Sequence, residues 1–296
     1  MKKIRRTRQD VIFDTVNYII LSLILLCVLY PLYFIVIASF SDPTAVNNGQ
    51  AFLLPQGFNL GGYKKILGYD MIWTGYRNSI IYTVVATVIN IIVTMMIAYT
   101  LSRKTFLGKK LLLFYVMIPM YFSGGMIPTF LLVQSLGLYN NPAIMIIIGM
   151  VSTFNVIVAR TSIQNSIPDE LYEAAMLDGC SHITFFCKVV MPLSKAIIAV
   201  LILYYGIAHW NGYMDALIYL NDRKYQPLQI VLRDILIQSQ VSSDLVAGAE
   251  DAVKKQEETE IMKYALIIVA TLPLMVVYPF LQKYFAQGAM VGSVKG

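Results

Sequence analysis

Glu173, Ala174 and Ala175, followed four residues later by Gly179, combine side-chain types and spacing suited to docking rather than to catalysis. They lie in a stretch of about 36 residues between Arg160 and Lys195, polar enough to leave a membrane yet too patterned for a loose linker. Ser166 is placed to cap a helix whose first turn holds Pro168, Asp169 and Glu170, since Ser-x-x-Asp resembles a capping box and acids suit the positive helix end. The helix is expected to run through Leu171, Glu173, Ala174, Ala175 and Leu177 and to stop at Gly179. Ser181 is expected to cap a second short helix through Ile183, Phe186 and Val190, ending at Pro192. Two short helices joined at a glycine form a compact knob. Its alanines allow a close backbone approach, and Glu173 offers a carboxylate to a basic partner. Spacing alone leaves a second reading equally open, an amphipathic hairpin lying on a membrane surface.

Other chemistry is sparse. Cys27, Cys180 and Cys187 are scattered, and the sequence has no CxxC or HExxH pattern, so neither a disulfide framework nor a metal site is expected. Gly108–Lys109 lacks the upstream glycine and following Ser/Thr of a phosphate-cradling loop, so this chain is expected to bind no cofactor and hydrolyse no nucleotide. His209, Trp210, Asn211 and Tyr213 offer aromatic faces and hydrogen-bonding groups that suit sugar rings, although an aromatic belt at a membrane interface is the commoner origin of such a cluster. Tyr82, Tyr115 and Tyr121 carry the same ambiguity. Ser123, Gly124, Gly125 and Pro128 interrupt an apolar run. Such a break needs protein or a water-filled cavity to satisfy its freed backbone groups, which marks a path-lining segment or a packed kink.

The elements that must position these residues are membrane spans. The chain is 57% hydrophobic and only 14% charged, against roughly 25% charged in soluble domains. Apolar stretches near 17–40, 79–101, 111–133, 142–159, 196–220 and 261–284 are of a length to cross a bilayer core. The first is longer than a secretory signal core and is expected to be retained. With the N-terminus inside, 14 of the 23 Lys and Arg fall in cytoplasmic segments, while 11 of the 17 acids fall outside. The net charge of +6 therefore reflects topology rather than nucleic-acid binding. The expected fold is all-α and polytopic: one transmembrane domain over 1–296 with six crossings and both termini cytoplasmic. The knob at 160–195 is inside; segments 41–78 and 221–260 are outside, the latter with a helix over 226–240 and an acidic stretch over 250–260. Buried Asp, Glu or His is nearly absent at mid-membrane depth, which argues against ion-driven transport.

The run ELYEAAMLDGCSHITFFCKVVMPLSKA (170–196) resembles the EAA loop of binding-protein-dependent ABC importers. Glu173, Ala174, Ala175, Asp178, Gly179, Val189, Met191 and Pro192 match that pattern. Cys180 replaces a common alanine, and Ala196 lacks the proline that often opens the fifth helix. ASFSDPTAV (38–46), NSIIYTVVATVIN (78–90), FSGGMIPTFLLV (122–133), HWNGYMDALIYL (209–220) and QGAMVGSVKG (287–296) are similar to MalG-type carbohydrate permeases, in their LplC-like branch. The resemblance implies a permease in a bacterial plasma membrane, paired with a second permease as a heterodimer. It implies two ATPase subunits carrying ATP and Mg, and an extracytoplasmic sugar-binding protein. Glu173 would then pair with a basic group of the ATPase, Ala174 and Ala175 would permit close packing, and Gly179 would form the bend. The importer of another solute, and a membrane scaffold docking a different partner, remain the alternatives.

Overall fold

The computed structural model describes residues 7–245, 262–280 and 282. The basic residues at 2–6, the acidic stretch 250–260 and the glycine-rich tail 287–296 lie outside the described residues. Those described are helical, with no strand among them. In chain order they form α1 (Arg8–Ser39), α2 (Pro43–Asn47), α3 (Gly61–Leu67), α4 (Asp70–Ser102), α5 (Lys109–Tyr121), α6 (Met126–Ser135), α7 (Ile144–Ile147) and α8 (Thr153–Ser166). Then come α9 (Asp169–Leu177), α10 (His182–Phe185), a π turn (Phe186–Val190), α11 (Met191–Leu193), α12 (Lys195–Asn211), α13 (Met214–Tyr219), α14 (Leu228–Leu245) and α15 (Met262–Phe280).

Three of these, α1, α4 and α15, are long and apolar enough to cross a membrane; counting each bent pair, α5–α6 and α10–α12, as one span gives up to five. The expected interruption near Ser123–Pro128 is real: α5 and α6 meet at 115°, and Gly125 takes a φ of +85°. The expected span at 142–159 is not one helix. It divides into the single turn α7 and then α8, because Gly149 adopts a φ of +68° and Ser152 caps α8 by accepting from Asn155 N–H.

The described residues fall into two compact units, the chain passing between them after residues 69, 234 and 271. In the first, α1 opens with a capping box between Thr7 and Asp10 and leaves its apolar surface almost wholly exposed. Its end is held by Tyr63, whose hydroxyl donates to Ser39 Oγ at 2.8 Å, and by the stacked rings of Phe40 and Phe58.

In the second unit α4 is the axis, packed along α8 and α12. Met95, Ala98 and Tyr99 of α4 share a core with Ala159 and Ile163 of α8, Phe185 of α10 and Leu201 and Tyr205 of α12. Lipid is as apolar as leucine, so helices here associate through close packing and hydrogen bonds, which favours small residues such as Ala98 and Ala159 at the contact. At the other end of α4, Gly75 lies against the start of α14, where an added Cβ would stand 3.0 Å from Leu228 Cα. Ser79 Oγ accepts from Leu228 N–H at 2.8 Å, satisfying an otherwise orphaned helix N-terminus. Asn78 donates to the Lys224 and Gln226 carbonyls, and Tyr82 OH donates to the Tyr225 carbonyl. Of the apolar face expected at Leu228, Val231, Leu232 and Ile235, the first three are buried and Ile235 is half-buried.

Candidate functional site

The knob forms as two short helices at a glycine, with two local corrections. Ser166 does not cap the first helix; it is the last residue of α8, and α9 begins at Asp169 behind Pro168 with no side-chain cap. The position is instead anchored through Asp169, which pairs with Lys104 at 2.7 Å. That hydrogen bond holds the Asp169 carboxyl below the usual carboxylate range and raises the Lys104 ammonium. Pro192 does not end the second helix either. Without an N–H, and with its ring against the preceding turn, it is accommodated by widening the ladder into the π turn at Phe186–Val190, and the helix continues to Leu193. The chain then bends by 81° into α12, which starts at Lys195 although Ala196 is not proline.

Gly179 has a φ of +77°. Its N–H donates to the Met176 carbonyl and Cys180 N–H donates to the Ala175 carbonyl, both at 3.0 Å. This is a Schellman ending, and it requires a residue at ease in the left-handed region. Ser181 caps α10 by accepting from Thr184 N–H at 3.2 Å. Glu173, Ala174, Asp178, Gly179 and Pro192 are exposed, while Ala175 packs half-buried on the core. Leu177 and Ile183 are 89% and 77% exposed, so the carboxylates share their surface with large apolar tips.

Sequence reasoning missed what fastens the knob to the rest. Arg160 Nε donates to the Leu101 carbonyl and Gln164 donates to the Ser102 carbonyl, so α8 supplies the partners that the C-terminus of α4 lacks. Arg103, 5% exposed, lies with its guanidinium 5.2 Å from the rings of Tyr99 and Tyr172 and 5.9 Å from Phe185. The only local signal is Tyr99 and Arg103 at i and i+4 on a helix end.

A cavity of about 380 Å³ opens between the α7–α8 break and α12. Gly149, Ser152, Asn155, Tyr204, Tyr205, His209 and Asp215 supply its polar lining. Tyr205 OH lies 2.7 Å from Thr94 Oγ1 and accepts from Ser152 N–H, which stabilises the broken backbone. The Asn90 amide is 2.8 Å from His209 Nε2. Of the aromatic cluster only His209 lines this space. Trp210 is buried against Tyr76, with ring centres 6.2 Å apart, whereas Asn211 and Tyr213 are exposed elsewhere. Tyr121, Ser123 and Gly124 stand exposed at the α5–α6 break and do not line the cavity.

The described residues thus form a helical membrane protein in which a polar cavity and a protruding knob are both fastened to one long helix. The chain belongs to the binding-protein-dependent transport system inner membrane components, whose profile matches residues 72–291. It is 40% identical over 286 residues to a polygalacturonan/rhamnogalacturonan transport system permease protein, YtcP, of Bacillus subtilis, covering 96% of this chain and 99% of that one. It is 37% identical to the Bacillus subtilis protein LplC, over 98% of this chain and 97% of that protein. Among solved structures it resembles a chain of a bacterial ABC transporter that imports the acidic polysaccharide alginate, with a TM-score of 0.84 and 34% identity, over 96% of this chain and all of the other. The protein is thus a multi-span inner-membrane transport component.

Proposed function

We propose that this chain is the permease subunit of an ABC importer that carries an oligosaccharide derived from a complex polysaccharide. The observation that carries the reading is the knob: an exposed acid and exposed alanine, Glu173 and Ala174, on a helix terminated at Gly179, in a chain of this family. Glu173 pairs with a basic group of a separate ATPase subunit, Ala174 and Ala175 admit its surface, and Asp178, Gly179 and Pro192 shape the turn. Two ATPase subunits carrying ATP and Mg, a second permease and an external sugar-binding protein complete the assembly. The chain crosses the membrane six times with both termini inside, its 144–166 segment being an interrupted crossing. Closure of the ATPases draws the knobs together and turns the cavity from inward- to outward-facing. The relatives' printed substrates, together with the hydroxyl, amide and imidazole groups lining the cavity, favour a sugar as cargo.

The test is reconstitution in proteoliposomes with the partner permease, ATPase and binding protein. ATP hydrolysis and uptake are expected to rise when the binding protein is loaded with oligogalacturonides, rhamnogalacturonan fragments or alginate oligosaccharides. Glu173→Ala is expected to lose ATPase docking and uptake together. Stimulation by a different solute class, with none by any sugar, refutes the cargo. Wild-type docking and uptake in Glu173→Ala refutes the role of the knob.

A further inference from the structure

Arg103 is a buried cation with no ion pair of its own among the described residues; Asp169, near enough to feel its charge, is bonded to Lys104 instead. It is 5% exposed, its Nη1 is buried with no hydrogen-bond acceptor, and its Nε makes one long contact of 3.3 Å to Ser102 Oγ. Burying a charge is costly unless something replaces its hydration. What surrounds it is aromatic: Tyr99 from α4, Tyr172 from α9 and Phe185 from α10. Tyr172 and Phe185 meet edge to face, with ring centres 5.4 Å apart, and Tyr99 lies 6.3 Å from Phe185. One guanidinium therefore holds three rings from three elements, two of them in the knob. Rings attract a cation through a broad quadrupole field, so the attraction tolerates tilt and sliding. A hydrogen bond, by contrast, weakens steeply once its angle is lost.

We propose that Arg103 is a positioning residue that works as a swivel joint, keeping the knob attached to α4 while it rocks and so passing its movement to the cavity. The proposal rests on the permease reading given above. From Arg103, α4 runs back to Thr94 and Asn90, the partners of cavity residues Tyr205 and His209. That is 13 residues, roughly 20 Å of continuous helix. Beside the apolar core that Tyr99 shares with Phe185, the other fixings at this end include directional ones: Lys104 to Asp169, Arg160 to the Leu101 carbonyl, Gln164 to the Ser102 carbonyl, and the long contacts of the Tyr99 and Tyr172 hydroxyls with His182 Nδ1. They set the resting position, and the aromatic cage permits departure from it without detachment.

The test uses the complete transporter in liposomes, with Cys27, Cys180 and Cys187 replaced by alanine and Ala208→Cys introduced beside the cavity as a maleimide-labelling site. Labelling is compared without nucleotide and after trapping with ATP and vanadate, alongside ATPase retention and ATP hydrolysis. Arg103→Met, which fills the same space without charge, is expected to keep the ATPase bound and hydrolysing but to lose the nucleotide-dependent change in labelling. Arg103→Lys, which keeps a cation among the rings, is expected to retain the change, as is Tyr172→Phe, which keeps the ring. A normal labelling change in Arg103→Met overturns the proposal. So does loss of the ATPase from that variant, which would make Arg103 a docking determinant, or an Arg103→Lys that behaves like methionine. Failure of the unsubstituted transporter to respond to nucleotide strikes instead at the permease reading itself.

Discussion

Replacing Gly179 with alanine isolates one backbone requirement of the knob. A Cβ built there meets nothing within 4 Å, so no steric clash enters, and the whole effect comes from the φ of +77°. An L-residue with a Cβ pays roughly 1–2 kcal/mol in the left-handed region. Unwinding the turn to avoid that strain forfeits the Gly179–Met176 and Cys180–Ala175 hydrogen bonds, each worth about 0.5–1.5 kcal/mol, so the cost is similar either way. Local opening of the end of α9 should therefore increase about 5- to 30-fold. Hydrogen exchange in the assembled transporter reads this directly at the Gly179-position and Cys180 amides. Asparagine, which tolerates this conformation better, should fall between glycine and alanine. Gly206→Ala in α12 is the control, since its Cβ also meets open space but its φ is not in the left-handed region; it should leave these amides unchanged. Exchange in Gly179→Ala within twofold of wild type, about 0.4 kcal/mol, would falsify the claim that the left-handed turn holds the knob.

The Lys104–Asp169 pair sets a pH window. Because Asp169 titrates below its ordinary range, its contribution is present above the unfolded carboxylate value of about 3.9 and is lost as pH falls through the lowered folded value. Protection at the start of α9, taken as exchange relative to each amide's own unstructured rate at the same pH, should thus stay flat from about pH 5 to 9 and fall on acidification below about pH 4. Lys104→Ala should remove that acid dependence; its persistence would mean that another group holds Asp169. At the far end of α4, Asn78→Ala strands two carbonyls beside a buried helix and should destabilise by about 1–3 kcal/mol, read as a fall in thermal midpoint of the purified protein. Tyr82→Phe removes one hydroxyl donor and should cost about 1 kcal/mol. Equal effects from the two substitutions would contradict this ranking.

The features legible in the sequence are those decided within a few residues. Gly179 as a left-handed terminator and Ser181 as a cap follow from local hydrogen bonding, and the break at Ser123–Gly125 follows from the glycines' freedom. Membrane residence follows from composition alone, because long apolar helices need no partner sequence to satisfy their backbone. Local rules failed where two competed. Ser166 has the residue type and spacing of a cap, but α8 continues through it because Arg160 and Gln164 find carbonyls on α4. The aromatic cluster at 209–213 reads as one patch along the chain, yet a helix fans successive side chains round its axis. That sends His209 into the cavity and Trp210 against Tyr76.

The form of the knob was therefore determined by the order of its residues, down to the glycine at its bend. How the knob is held was decided only by tertiary structure. Arg103 acquires its cage from rings of α9 and α10, and the pairs that join α4 to the cavity, Thr94–Tyr205 and Asn90–His209, are 111 and 119 residues apart. No periodicity encodes such separations. They exist because α4 is long and apolar enough to meet both, and because buried polar groups in a membrane protein must find partners wherever the packing brings them.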